Sequence, residues 1–171
     1  MKSFVVAAVV AVSTLAVAEV ATAQGEYNVE RSPVQFSLSS DTCSRLPAGT
    51  TIQGRGRQKS VTRTITDAST GVTTVVNYTR AAGTATDGDG NRYRFDYRNS
   101  FHIQNSAAAP ATYSGTMFDL FALTGRGPAT LRNGFVAIFT TDLGANASYQ
   151  PLYSWGDPIE VPTGAGHCDP L

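Results

Sequence analysis

Apolar and polar residues alternate in twos along much of the chain, most clearly between residues 91 and 104. The odd positions of this stretch are mostly aromatic or aliphatic: Tyr93, Phe95, Tyr97, Phe101 and Ile103. The even positions are mostly charged or polar: Arg92, Arg94, Asp96, Arg98, His102 and Gln104. Because successive side chains of a β-strand point to opposite faces, the pattern predicts a long strand with one buried and one solvated face.

Shorter runs of the same kind, separated by Gly, Pro, Asp and Asn, predict further strands. They cover residues 34–38, 50–57, 60–66, 72–79, 83–86, 113–123, 134–140 and 148–153. Residues 67–71 and 87–90 have the composition of hairpin turns. Gly54 and Gly56 indicate a bulge or a close backbone approach. We therefore predict an all-β fold, a single antiparallel β-barrel of about eight strands, with a β-sandwich as the alternative.

Two of the later strands are apolar on both faces. Apart from Asp119, residues 117–123 and 135–139 carry Met, Phe, Leu, Ile, Val or Ala at odd and even positions alike. A strand with two apolar faces needs cover on both sides. The pattern predicts either a terminal segment of this chain or a second subunit as that cover, so a homo-oligomer is one expectation.

The N-terminal segment has the organisation of a secretory signal peptide. Lys2 precedes an apolar run over residues 4–18, and Ala21 and Ala23 occupy the positions that a signal peptidase reads. The run is shorter than the ~20 residues that cross a bilayer. We predict a cleaved signal peptide over residues 1–23, a single domain over residues 24–171 without a membrane span, and a secreted, extracellular or periplasmic location.

The chain has two cysteines, Cys43 and Cys168. In an oxidising compartment such a pair persists as a disulfide. The alternative is a thiol nucleophile with His167 as its base, but adjacent residues of an extended segment point to opposite sides. The sequence predicts a disulfide that ties the two ends of the domain together.

Charge excludes some partners. The chain has 13 Lys and Arg against 13 Asp and Glu, so it has no global attraction to nucleic acid. Two predicted strands each carry three cations on one face: Arg55, Arg57 and Lys59 on one, and Arg92, Arg94 and Arg98 on the other. If these faces were neighbours, they would form a basic patch for phosphate, sulfate or uronate groups. Otherwise they are ordinary solvated side chains, which is the interpretation we favour from sequence.

Two residues are candidates for acid or base catalysis. Asp119 stands within an apolar strand, where an ionised carboxylate costs several kcal/mol unless a cation or backbone donors meet it. It could anchor a ligand, act as an acid or base, or form an ion pair with Arg126 or Arg132. His102, on the polar face of the long strand, is the second candidate for a general base.

The aromatic row of the long strand, Tyr93, Phe95 and Tyr97, is either packed core or the wall of a ligand pocket. Trp155 belongs either to the rim of that pocket or to a packed cap. The acidic turn at residues 87–91 resembles a calcium loop, but Arg92 and Arg98 occupy positions that need Gly and Glu. The chain contains no other metal or cofactor motif, so we predict neither a metal site nor a cofactor.

The absence of a nucleophile elbow, P-loop or dinucleotide motif favours a protein that is not an enzyme. The sequence therefore predicts a secreted barrel that binds a small apolar or amphiphilic ligand or a protein partner. A small barrel isomerase or hydrolase that uses Asp119 or His102 is the first alternative. A self-associating envelope or surface protein is the second.

Overall fold

A computed structural model describes residues 24–156 and Cys168 of the 171-residue chain. The predicted signal peptide and His167 lie outside the described residues. The described part contains seven strands: β1 (Gln24–Ser39), β2 (Thr51–Thr66), β3 (Thr73–Asp87), β4 (Arg92–Ser106), β5 (Ala109–Gly125), β6 (Leu131–Thr141) and β7 (Ala147–Trp155). They form one antiparallel sheet in which every strand pairs with its neighbours in sequence. The predicted all-β class is confirmed.

The described strands are longer and fewer than the sequence predicts. β2 joins the predicted strands at 50–57 and 60–66, and β3 joins those at 72–79 and 83–86. Lys59 and Arg80 lie at these two junctions and pair directly across the strands. Their side chains project from an exposed face, so the charges do not interrupt the backbone ladder.

The sheet is open, so the predicted closed barrel is not observed, and the described residues contain no second sheet of a sandwich. β1 and β7 are the two ends of the strand order and do not pair with each other. Pro33 lies in β1 and Pro151 lies in β7. Proline cannot donate a ladder hydrogen bond and is typical of edge strands, where it hinders pairing with another chain. These prolines fit the edge positions of their strands.

The sheet nevertheless curls tightly at one end. The ring centroid of Phe36 in β1 lies 5.0 Å from that of Phe95 in β4 and 5.8 Å from that of Phe121 in β5. In a flat sheet, four strand spacings would separate β1 from β5 by about 19 Å. The curl therefore gives the sheet an inner face, which carries these three rings, and an outer face.

Glycines on the inner face make room for the aromatic rings. A Cβ atom on Gly54 would collide with the ring of Phe36, and one on Gly83 would collide with the ring of Phe95 and with backbone. A Cβ atom on Gly56 would likewise collide with the ring of Phe95 and with backbone. The pairing of β1 with β2 continues past Gly54 and Gly56 without a register shift. The close-approach interpretation of these glycines is confirmed, and the bulge interpretation is wrong.

A loop and a disulfide close the curled end. The loop between β1 and β2 buries Cys43 and Leu46 against the aromatic core. Cys43 is bonded to Cys168, with a Cα–Cα distance of 4.7 Å and a sequence separation of 125. The predicted pairing is therefore present, and it ties the C-terminal part of the chain to the loop that follows the first strand.

Candidate functional site

Asp119 is buried on the inner face, as its position in the alternation of β5 predicts. Its side chain is 5% exposed. Its Oδ2 atom accepts a hydrogen bond from the hydroxyl of Tyr97 at 2.8 Å and another from Nδ2 of Asn99 at 2.9 Å. The ion pair with Arg126 or Arg132, one of the alternatives for Asp119, is not found among the described residues. Arg132 alternates to the exposed face of β6, opposite Ala122.

A polar belt continues from Asp119 across the inner face. In β3, Asn77 donates from Nδ2 to the hydroxyls of Ser60 at 3.0 Å and Thr62 at 2.8 Å, and Thr79 donates to Oδ1 of Asn77 at 3.0 Å. The belt lies between two apolar clusters. One cluster includes Phe36, Phe95, Phe121 and Leu131, and the other includes Val75, Ile103 and Phe139. The belt therefore divides the core into two parts.

Three buried polar atoms near the belt have no hydrogen-bond partner among the described residues. They are Oδ1 of Asp119 and both polar side-chain atoms of Asn133, a residue that is 1% exposed. Asn133 lies opposite Phe121, and Asp119 lies opposite Phe135, so the two polar residues are diagonal neighbours on β5 and β6. Such unpaired groups cost stability in a core.

Asp119 and His102 do not converge. His102 pairs with Thr116 on the outer face and is exposed, whereas Asp119 points to the inner face. The two candidate acid–base residues are therefore on opposite sides of the sheet. The geometry does not assemble them into one catalytic site.

The predicted ligand residues are also divided between the faces. Tyr93, Phe95 and Tyr97 belong to the packed core of the curled end. Trp155 lies on the outer face, where its ring centroid is 5.8 Å from those of Phe118 and Tyr153. The four residues therefore do not surround a common pocket.

The acidic turn between β3 and β4 is satisfied by the protein itself. The carboxylate of Asp87 accepts hydrogen bonds from the backbone of Asp89 and Asn91, from Nδ2 of Asn91 and from the hydroxyl of Tyr93. The bond from the Asn91 side chain is the main reason why the pKa of Asp87 is lowered. Within the described residues, no group of three or more His, Cys, Asp or Glu side chains could hold a metal ion.

The outer face of β1 to β4, hereafter the basic face, collects most of the positive charge. Its nine cations are Arg31, Arg55, Arg57, Lys59, Arg63, Arg80, Arg92, Arg94 and Arg98. All nine are exposed. Within these four strands, the one carboxylate on the same face is Asp96. The two cationic strand faces that the sequence identified are therefore parts of one surface.

Strand register aligns four of these cations. Arg31 lies opposite Lys59, Lys59 opposite Arg80, and Arg80 opposite Arg98. We call these four residues the cationic row. Because neighbouring strands lie ~4.8 Å apart, the row extends over about 14 Å. Like charges directly opposite each other in a sheet are destabilising.

Asp96 neutralises only one end of the row. Its carboxylate accepts from Nη2 of Arg80 at 2.7 Å and from Nε of Arg98 at 3.2 Å. Burial raises the pKa of Asp96, but the bonds from Arg98 and Arg80 outweigh it and hold that pKa below its usual value. The other seven cations of the basic face make no ion pair with the described residues. The face therefore has a large local excess of positive charge.

An apolar row runs beside the cationic row. Val29, Val61 and Tyr78 lie opposite one another, two residues along each strand from Arg31, Lys59 and Arg80. Tyr78 is 47% exposed. A groove with a volume of about 950 Å³ is lined by Arg57 and by residues of both rows: Arg31, Lys59, Arg80, Val61 and Tyr78.

Sequence reasoning found six of the nine cations of the basic face and missed Arg31, Arg63 and Arg80. Strand alternation could have identified Arg80. If the predicted strand over residues 72–79 is extended by one residue, Tyr78 and Arg80 lie on the same face. The alignment of Arg80 with Lys59 depends on register, which requires the lengths of both strands and of the turn between them.

Comparison with known proteins does not assign this chain to a family: no protein-family model, curated protein or solved structure gives a significant match. Residues 24–156 contain no helix with the length and apolarity required to cross a membrane.

Proposed function

We propose that this chain is a secreted, non-enzymatic binding protein whose basic face holds an anionic polymer. The observation that carries the proposal is the cationic row, within a face of nine cations and one carboxylate. A polymer with regularly repeated negative groups can contact several cations of the row at once. Arginine and lysine both bind phosphate, sulfate and carboxylate groups, and arginine can do so through two parallel hydrogen bonds.

The segregation of charge supports this proposal. The chain as a whole has equal numbers of positive and negative residues, yet seven cations of this face lack a carboxylate partner in the described structure. A bound polyanion would relieve the repulsion between them. Local charge of this kind attracts ligands even where the net charge of the protein is zero.

The location of the partner follows from the proposed export. The predicted signal peptide over residues 1–23 directs the chain out of the cytoplasm, and the Cys43–Cys168 disulfide is consistent with an oxidising compartment. We therefore propose that the polymer is encountered outside the cytoplasm. This favours polymers of the cell surface or the extracellular space over nucleic acid.

The outer face of β5 to β7 supports a second candidate function, contact with a protein partner or a second copy of this chain. Phe118, Leu120, Val136 and Ile138 are half-buried there, and Tyr153 beside them is 64% exposed. Exposed apolar groups that lie together are typical of interaction surfaces. Neither the apolar-ligand nor the enzyme hypothesis gains comparable support, because the residues proposed for each are divided between the two faces.

Binding to dextran sulfate, with uncharged dextran as the control, tests the proposal. We expect the purified, disulfide-bonded protein to bind dextran sulfate at low ionic strength and to release it as the salt concentration rises, because salt screens exposed charges. We also expect dextran sulfate to raise the Tm, since a ligand that binds the folded state stabilises it. Equal behaviour with dextran and dextran sulfate would contradict the proposed function.

A further inference from the structure

The groove at the cationic row combines cations with apolar surface, and this combination specifies the ligand further. Three cations of the row, Arg31, Lys59 and Arg80, line its middle, with Arg57 on one side of them and the apolar surface of Val61 and Tyr78 on the other. Polyanions without rings, such as polyphosphate, would use only its cations. The groove therefore has more apolar surface than a purely ionic site needs.

We propose that the groove binds an acidic polysaccharide, with one sugar ring on Tyr78 and the anionic substituents of the chain on the cationic row. This inference rests on the proposed function and names the ligand class for the same face. The two rows lie two residues apart along each strand, which is about 7 Å. A sugar ring on Tyr78 can therefore reach Lys59 or Arg80 with a carboxylate or sulfate group.

The amphipathic character of sugars explains why both rows are used. A sugar ring has an apolar C–H face, which packs on an aromatic side chain, and polar substituents at its edge. Tyr78 offers its ring at low entropic cost, because a tyrosine side chain has only two torsion angles to order, and β3 holds its backbone between β2 and β4. The direction of the cationic row, across the strands, sets the direction of the polysaccharide.

A lipid surface fits the groove less well. Peripheral membrane proteins place protruding apolar side chains among or beyond their cations so that these reach the acyl chains. Here Val61 is half-buried between Lys59 and Arg63 of the same strand, and Val29 is half-buried beside Arg31. The two valines thus form a floor beside the exposed Tyr78, and a narrow chain can occupy it.

The test compares Tyr78→Ala with the unmodified protein on dextran sulfate and on linear polyphosphate of similar charge. We expect affinity for dextran sulfate to fall about fivefold, the equivalent of one aromatic contact, and affinity for polyphosphate to stay within twofold. Tyr153→Ala is the matched control, because Tyr153 is also exposed but lies on β7. It should change neither affinity. Melting temperatures of both variants verify that the fold is retained.

The possible outcomes separate the two proposals. A selective loss for dextran sulfate in Tyr78→Ala supports the polysaccharide site. Equal losses for both polymers, or no loss for either, overturn it and leave the proposed function in place. Tighter binding to vesicles that contain phosphatidylglycerol than to dextran sulfate also overturns it, in favour of a membrane surface. No binding of the unmodified protein to either polymer contradicts the proposed function itself.

Discussion

Single side chains on the inner face differ in how well their polar atoms are satisfied. Asp119 accepts two hydrogen bonds from buried donors, whereas Asn133 has none among the described residues. A buried donor left without its acceptor costs about 1–3 kcal/mol. Equal burial therefore does not imply equal importance for the two residues.

We expect Asp119→Leu to destabilise the protein and Asn133→Leu to be neutral or stabilising. The first substitution removes the acceptor of the hydrogen bonds from the hydroxyl of Tyr97 and Nδ2 of Asn99, and losing a buried acceptor costs about 1–3 kcal/mol. The second removes two unsatisfied atoms and replaces them with apolar volume. Urea denaturation of both variants measures the difference, and an equal loss of stability in the two would contradict this assignment.

At the scale of the strand, glycines determine where the sheet can curl. We expect Gly83→Ala to cost about 1–3 kcal/mol, a usual range for overpacking, because its Cβ would meet the backbone of Arg55 and the ring of Phe95. Gly88→Ala is the control, since nothing lies within 4 Å of its Cβ position. If the two variants unfold at the same urea concentration, the role given to Gly83 is wrong.

Aspartates organise three of the hairpin loops. The carboxylates of Asp67, Asp87 and Asp142 each accept a hydrogen bond from the backbone N–H two residues later, at 2.8 Å, 3.1 Å and 2.8 Å. Side-chain hydrogen bonds from Ser69, Asn91 and Asn146 are the largest cause of the lowered pKa of each. A group with a lowered pKa in the folded state stabilises the protein above its unfolded pKa, which is about 3.9 for Asp.

We therefore expect the contribution of these loops to be present above about pH 4 and to be lost as the pH falls through their lowered folded-state pKa values. Asp87→Asn should make the free energy of unfolding less dependent on pH below about pH 4. The control is Asp89→Asn, since the Asp89 carboxylate accepts no hydrogen bond from the described residues. Denaturation midpoints between pH 5 and pH 2 provide the measurement. An unchanged pH dependence in Asp87→Asn would contradict the linkage.

The local elements were largely predictable from the sequence, and their assembly was not. The alternation in β4 and the turns after Asp67 and Asp87 depend on neighbouring residues, so the pattern identifies them. The openness of the sheet depends on whether β1 reaches β7, and no local pattern encodes this. The partners of Asp119 likewise lie on β4, and only register places Tyr97 and Asn99 beside it.

At the scale of the whole molecule, the disulfide links the loop after β1 to the C-terminal part of the chain. Loop-closure entropy for a separation of 125 residues gives about 5 kcal/mol of stabilisation. We expect Cys43→Ser to lower the Tm while the strand content measured by circular dichroism stays largely intact. Thiol titration in denaturant without reductant should find no free thiol in the unmodified protein, and two free thiols would contradict the bond.

The net charge of the whole molecule gives no indication of its main electrostatic feature, the basic face. The sum of charges is zero, because carboxylates in the loops and on the inner face offset the cations of the outer face. Sequence reasoning interpreted Arg55, Arg57 and Lys59 as solvated side chains, and left the basic patch conditional on neighbouring faces. The register fulfils that condition by placing β2, β3 and β4 side by side with their cations on one surface.

The affinity for dextran sulfate of two double variants tests the central claim most directly. One variant, Arg57→Gln with Lys59→Gln, removes two charges from the basic face, and the other, Arg126→Gln with Arg132→Gln, removes two exposed charges outside it. Both change the net charge equally. We predict at least a tenfold loss of affinity at low salt, about 1.4 kcal/mol, for the first variant, and less than a twofold change for the second. Equal losses in the two variants would show that binding depends on total charge and would contradict a specific site on the basic face.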